Sequence, residues 1–392
     1  MGSVLKLGST GIGRIASYAG RSNSVMSTDR TVVQNWVRNP LWLPMPTLAD
    51  TDQKFVGLVA VTNDDSQYIA LMCSGNYTVD WGDGNIENIS SGVKAQHKYT
   101  FSSISASTEF ELTTGVVARQ VLVIVTPQSG QNLTSINLQQ LYTGLNNNYT
   151  TNYLDISLNS PNLTSLSIGG GTSYLSFCER VNIGVTGTIT DYSYKFQAFR
   201  SLQDISIRST SAATNMQYMF DNCHSLQTVP LFNTAAVTTM QQMFYNCCSL
   251  QTVPLFNTSA VTNMSSMFQF CYSLQTVPLF NTGAVTNMQS MFQNCFSLQT
   301  VPALNTSAVT TGNFGSIFSG CPSLHSAPLS GTKFSISYRG CALSRLQIID
   351  IFNNLGTATS QTIDVGLNIG TSSLSAADLL IATNKGWTVV TA

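Results

Sequence analysis

The sequence predicts a mainly β protein: a β-sandwich, then a solenoid of coils about 24 residues long, then a small α/β cap. Three observations predict it. From Met219 onward the chain copies itself every 24 residues, nearly letter for letter, through four copies. Ahead of the copies, apolar residues alternate along short runs, as in half-buried strands. Behind them, helical spacing alternates with runs rich in β-branched residues.

Residues 1–54 come first and read as an extended arm. Up to Asp50, Lys6, Arg14, Arg21, Arg30 and Arg38 face only Asp29 and Asp50 in charge. Pro40, Pro44 and Pro46 lack an N–H and discourage regular structure. Trp36, Leu41, Trp42 and Leu43 are apolar and need a surface to cover them. We read the arm as docking onto another subunit through Trp36, Arg38 and Trp42. The alternative is that both tryptophans pack onto this chain's own sandwich.

Residues 55–128 carry the sandwich signals. Asn76-Tyr-Thr-Val-Asp-Trp-Gly-Asp-Gly84 alternates as a strand and ends in Asp83-Gly84, a hairpin turn pair. His97-x-Tyr99-x-Phe101 follows, and Arg119-Gln-Val-Leu-Val-Ile-Val-Thr-Pro127 reads as a further strand. Trp81-Gly-Asp-Gly84, His97-x-Tyr99 and a closing apolar strand resemble a PKD-like immunoglobulin-type β-sandwich. The resemblance implies a spacer or interaction module.

Residues 129–345 are the solenoid. Its copies begin MFDNCHSLQTVPLFNT at Met219, MFYNCCSLQTVPLFNT at Met243, MFQFCYSLQTVPLFNT at Met267 and MFQNCFSLQTVPALNT at Met291. A fixed period of this length means stacked units, each burying its apolar side only against its neighbours. Leu226, Val229 and Leu231 read as a short strand pointing inward, and Met240, Met243 and Phe244 as one helical turn. Looser units start at Asn132, Asn162, Ser201 and Cys321. The pattern MF-x-x-C-x-SL-x-x-V-x-L followed by AVTxM resembles the BspA-like leucine-rich repeats of bacterial surface proteins, mycoplasma lipoproteins and some phage virion proteins. Cys223, Cys247, Cys271 and Cys295 lie one repeat apart and read as a column of buried free thiols packing as small hydrophobes.

Residues 346–392 are the capping unit. Leu346, Ile349 and Phe352 have helical spacing, and Thr362 to Leu367 suits a strand. Ser375 caps a helix reaching Thr383, and Trp387 to Val390 forms a last strand. A stack needs such a terminal unit with a polar outer face.

Chemistry is sparse. Only 9% of residues are charged, and from Ser209 to Thr332 the sole formal charge is Asp221. A neutral surface excludes nucleic acid and anionic membrane as partners, since both demand basic patches. No apolar run reaches the length of a membrane span. His97, His224 and His325 are the only histidines, and none sits in a triad motif. Paired carboxylates for glycan cleavage are missing from the repeats. We expect no enzyme, no metal and no cofactor.

The copies can be compared with one another. Gln227, Thr228 and Pro230 recur unchanged, whereas two columns vary. One runs Asp221, Tyr245, Gln269, Gln293; the other runs His224, Cys248, Tyr272, Phe296. Variation beside an invariant core suits a recognition face, and aromatics make good contacts. Residues 1–20 lack a secretory apolar stretch, which fits a phage structural protein made in the cytoplasm and released by lysis. The expectation is a homo-oligomeric tail-fibre or appendage subunit on the virion surface, joined to other virion proteins by the arm and meeting a host-surface glycan or protein. The alternatives are a capsid-decorating subunit without a receptor, or an exported adhesin on a bacterial surface.

Overall fold

The computed structural model describes residues 36–63, 67–112, 114–144, 152–169, 177–310 and 313–392. The first strands are β1 (Lys54–Thr62), β2 (Tyr68–Ser74), β3 (Tyr77–Asp80), β4 (Ile86–Ile89), β5 (Lys94–Lys98), β6 (Phe110–Glu111) and β7 (Val117–Pro127). There follow β8 (Ser135–Asn137), β9 (Tyr153–Ser160), β10 (Ser165–Ser167), β11 (Arg180–Thr186) and β12 (Asp204–Ile207). One sheet runs β12-β11-β9-β1-β7-β3-β4, with β6 also on β7, and a second runs β10-β8-β2-β5. Their buried faces share one core, including Phe55, Leu71, Tyr77, Trp81, Val123 and Tyr153.

Both sheets change pairing sense at the same point in the chain. β1 pairs antiparallel with β7 and with β9, but β9, β11 and β12 pair parallel. In the second sheet β2 pairs antiparallel with β5 and β8, whereas β8 and β10 pair parallel. Hairpins give antiparallel neighbours, and successive coils give parallel ones. The first coils therefore continue the N-terminal sheets by backbone hydrogen bonding, which covers the edges that a free stack would expose.

The described part of the arm lies on the larger sheet. Trp42 is 6% exposed and packs with Leu58, Ala60, Phe110, Leu112, Ala118 and Leu154. Arg38 donates from Nε to Asp155 Oδ2 at 3.0 Å and from Nη1 to the Trp42 carbonyl at 3.2 Å. Trp36 Nε1 donates to Glu179 Oε2 at 3.1 Å. Gln120 then fixes the chain path, accepting from Leu43 N at 2.8 Å and donating to the Leu41 carbonyl at 2.9 Å. Trp36, Arg38 and Trp42, expected to contact another subunit, thus engage this chain's own sheet. The physical reason is the β1–β9 surface, whose apolar residues surround an Asp155 that needs a cation. The arm's first 35 residues lie outside the described region.

In the repeats the core is built from ladders. Phe196, Phe220, Phe244, Phe268, Phe292 and Phe318 stack in sequence at 5.4 to 5.8 Å between centroids, and Tyr338 ends the column. Phe232, Phe256 and Phe280 form a second stack at 6.1 and 6.5 Å. Leu231 was expected inside, yet Leu231, Leu255 and Leu279 are 68%, 59% and 61% exposed. Leu226, Val229 and Phe232 are the buried set, a period of three and not two. Pro230 explains this: it has no N–H for a ladder and fixes a φ that suits the three-residue polyproline-type twist.

The expected helical turn is also replaced. Met243 N bonds back to Met240 O, and Cys247 N to Phe244 O, each at 3.2 Å, closing two successive β-turns. The third residue of each turn, Gln242 (φ 52°) and Asn246 (φ 56°), is left-handed, as a type II turn requires. The N–H groups of Gln242, Phe244 and Asn246 donate to Ser265, Met267 and Gln269 of the next coil at 3.0, 3.0 and 2.8 Å. Backbone bonds that a helix would keep to itself thus join the coils.

Two side-chain ladders reinforce the stack. Cys223, Cys247, Cys271, Cys295 and Cys321 are free and buried, and each Sγ donates to a phenylalanine carbonyl of the preceding coil at 3.0 or 3.1 Å. Burial pushes these thiols up, Cys321 to about 12, so they stay protonated donors. Thr234, Thr258 and Thr282 are buried at a corner, and each Oγ1 donates to the following coil's Asn257, Asn281 or Asn305 carbonyl at 2.8 Å.

The stack of about nine turns ends in a mixed cap. The last coils hold β13 (Leu304–Asn305) and β14 (Leu329–Ser330), and beyond them come β15 (Ile336–Ser337), α1 (Arg345–Asn354), β16 (Gln361–Asp364), α2 (Ala376–Thr383) and β17 (Trp387–Val390). β13 pairs parallel with β14, and β15, β16 and β17 form a parallel sheet. Ser344 and Ser375 close capping boxes with Gln347 and Asp378. α1 buries Ile348, Ile351 and Phe352, while Leu346, expected on its core face, is 73% exposed. The Lys385 ammonium caps the end of α1, donating to the carbonyls of Phe352, Asn353 and Leu355 at 3.0, 2.6 and 3.0 Å.

Candidate recognition face

Every coil offers the same outward positions around its paired turns, and the copies differ there. The second turn places its left-handed residue at Asn222, Asn246, Phe270 and Asn294 in successive coils. Asparagine tolerates that conformation because its short side chain bonds locally. Phe270 holds φ 65° with a bulky ring, a strained choice that the coil accepts because it is over-determined on both sides.

The Phe270 ring joins three expected contact residues into a cluster. Tyr245 meets Phe270 edge-on at 5.4 Å, and Phe270 meets Tyr272 edge-on at 6.2 Å. Tyr272 stacks on Phe296 at 4.9 Å with 7° between the planes. Tyr272 and Phe296 are 36% and 44% exposed. Because they stack, each ring partly covers its neighbour's face. Sequence reading missed Phe270; its signal was the single break in an otherwise asparagine column.

The remaining expected contacts fall into two groups. Gln269 Nε2 donates to Gln293 Oε1 at 2.6 Å, so both glutamines form a polar rung beside the aromatic cluster. Asp221 is buried, 6% exposed, and accepts from Gln197 Nε2 at 2.6 Å and Asn222 Nδ2 at 2.7 Å. Burial pushes its carboxyl up, opposed by the Gln197 bond. Asp221, expected to face a ligand, instead ties two coils together, because the turn directs its side chain along the stack. His224 Nε2 lies 3.2 Å from Asn246 Nδ2, and burial and Arg200 push its pKa down. Cys248, between His224 and Tyr272 in the same column, is half-buried, and its Sγ donates to Asn246 Oδ1 at 3.2 Å.

No group of three metal-ligating side chains occurs among the described residues. A cavity of about 440 Å³ opens beside Asp80, Asp83 and Gln120, away from these coils. Its carboxylates are occupied: Asp80 Oδ1 accepts from Gly82 N at 2.9 Å, and Asp83 Oδ2 meets His97 Nε2 at 2.7 Å. No helix among the described residues is long and apolar enough to cross a membrane.

Residues 176–278 and 214–331 match the family described as Mycoplasma protein of unknown function, DUF285. A search of curated proteins finds no match. The matched stretch and the stacked coils together fit a BspA-like repeat protein.

Proposed function

We propose that this chain is a non-enzymatic structural subunit of a bacteriophage virion, in a tail fibre or surface appendage, whose solenoid presents a host-recognition face. The observation that carries the reading is the cluster of Tyr245, Phe270, Tyr272 and Phe296 on coils whose sole formal charge from Ser209 to Thr332 is the buried Asp221. Aromatic groups fixed by rigid backbone lose little entropy on binding and anchor contacts well. Gln269 and Gln293 add hydrogen-bonding groups beside the rings, a combination suited to a neutral glycan or protein surface. The N-terminal sheets, read as PKD-like from Trp81-Gly-Asp-Gly84 and His97-x-Tyr99, serve as the spacer, and residues 1–35 as the link to other virion proteins.

The test uses the labelled full chain on cells of candidate hosts, followed by flow cytometry. Replacing Tyr245, Tyr272 and Phe296 together with Ser is expected to abolish attachment while thermal unfolding stays near wild type. Unchanged attachment would sink the recognition face. Immunogold labelling of particles supplies the location: gold at appendage tips supports the reading, and gold over capsids replaces it with a decoration role.

A further inference from the structure

The paired turns carry aromatic rings beyond the cluster described above. Tyr194 and Tyr218 stack at 4.6 Å with 8° between the planes, and Tyr194 is 37% exposed. Both hold the left-handed place of the first turn, at φ 60° and 57°, which Gln242, Ser266 and Ser290 fill in the coils that follow. The turn closes as well with serine or glutamine, so the fold does not require a ring there, and its strain points to use. In the frame of the repeat the rings drift across five coils. Tyr194 and Tyr218 share a position, Tyr245 lies three places further along its coil, Phe270 four, and Tyr272 and Phe296 six. Burial, then Tyr194 and Asp221, push the Tyr218 hydroxyl up, and burial and Asp221 do the same at Tyr245, so one carboxylate lies near both. Amides flank the rings: Gln241 Nε2 reaches the Tyr218 hydroxyl at 3.5 Å, and Gln241 Oε1 accepts from Asn263 Nδ2 at 3.1 Å. We propose that this oblique band binds a linear neutral polysaccharide laid across the coils, with its first subsite at Tyr194 and Tyr218. The proposal rests on the recognition-face reading above and names its ligand.

Three features select a neutral sugar chain as the occupant. Rings beside amides match the two sides of a sugar: its C–H groups pack on an aromatic ring, while its hydroxyls bond amide and phenol groups. Charge disfavours an acidic polymer. From Tyr218 to Phe296 the chain holds no Lys or Arg, so an acidic chain would give up hydration there without receiving a counter-charge. Form disfavours a globular epitope. Protein hot spots sit in well-packed pockets sealed from water, whereas these rings follow one another from coil to coil, with Tyr194, Tyr272 and Phe296 at 37%, 36% and 44% exposure. Four coil spacings give the band a length of about 19 Å. A polymer of repeated units can use each ring in turn, and weak contacts in series add to a firm one.

The test applies the labelled full chain to an array of linear glycans, neutral and acidic, graded in length from the disaccharide upward. Neutral chains are expected to bind, more tightly as their length approaches that of the band, and equally in low and high salt. Tyr194→Ser with Tyr218→Ser removes the first subsite and installs the residue that the same turn accepts at Ser266 and Ser290. It should weaken the longest neutral chains about tenfold while thermal unfolding stays near wild type. Tyr194→Phe with Tyr218→Phe keeps both rings and should retain most of the affinity. On cells, periodate, which cleaves sugar diols, should abolish attachment, and protease should not. Binding of no neutral chain, a preference for acidic chains that salt abolishes, an unaffected serine variant, or attachment that survives periodate and falls to protease would overturn the inference. The recognition face itself stands or falls separately, by the Tyr245, Tyr272 and Phe296 replacement on untreated cells.

Discussion

Leu255 and Phe256 are adjacent, both apolar and both repeated, yet the structure assigns them opposite fates. Phe256 is 2% exposed and stacks on Phe232 at 6.1 Å, on Phe280 at 6.5 Å and near Phe244 at 6.3 Å. Truncating such a ring leaves a void between two coils, at a cost of about 3–5 kcal/mol. Leu255 keeps only about two-fifths of its surface covered. Full burial of a leucine is worth about 1.5–3 kcal/mol, so the covered part contributes ~1 kcal/mol at most. We therefore expect Phe256→Ala to lose several times more stability than Leu255→Ala. Urea unfolding followed by circular dichroism in dilute protein, where copies are apart, measures both. Solenoids need not unfold in one step. Amide hydrogen exchange at Phe244 and Phe268 therefore complements the titration, because the Phe256 cavity should release protection first in these neighbouring coils. Equal losses, or a larger loss at Leu255, would refute the three-residue period and return the leucine to the core.

Thr258→Val keeps shape and removes the Oγ1 bond to the Asn281 carbonyl; it should cost about 1 kcal/mol by the same urea titration. Arg38→Met leaves Asp155, fully buried, with Arg180 alone at 3.5 Å. The expected loss is about 3 kcal/mol, with exchange protection lost across Trp36 to Met45, and Asp155→Leu in the same chain should recover most of it. At Asp83, burial raises the carboxyl, but the Asn85 N–H and the His97 ring outweigh it and hold the pKa below the ordinary 3.8. A depressed folded pKa means stability present above the ordinary value and lost as pH falls through the folded one. Urea midpoints should drop steeply below about pH 4, and Asp83→Asn should flatten that drop. Asp221 has the reverse sign, since burial raises its folded pKa above the unfolded value and ionisation then weakens the fold. Asp221→Asn should melt above wild type at neutral pH, the difference closing as the pH falls below the carboxylate range.

How much of this was legible depended on whether a residue's fate was decided locally. The repeat period, the thiol column and the Ser375 cap follow from residues within one or two coils, and the structure keeps them. The orientation of Leu231 was not legible from L-x-x-V-x-L, because that spacing satisfies a strand until Pro230 removes the hydrogen bond a strand needs. Met240, Met243 and Phe244 have helical spacing, but paired turns meet the same spacing while sending their N–H groups to the next coil. Nothing in Trp36 or Trp42 reveals whether the surface that covers them is another subunit or their own sheet, a contact across more than a hundred residues in the case of Glu179. In the candidate site, Tyr245, Tyr272 and Phe296, singled out because the columns vary, lie together around Phe270. Asp221 was misplaced because variation reports freedom to change and says nothing about which way a side chain turns.

The hydrogen bonds that run from coil to coil have a consequence for heredity. A coil's N–H and C=O groups are matched to those of any identical coil, so a copy inserted at one period finds its partners already waiting above and below. The near-identical copies from Met219 to Met291 show that such a coil has been repeated with little change. Length can then change in steps of one coil without a new contact being invented, and the coil between Phe292 and Phe318, two residues longer than those before it, still keeps its place in the ring and thiol ladders. Lineages carrying this chain should differ in copy number before they differ in the sequence of the core.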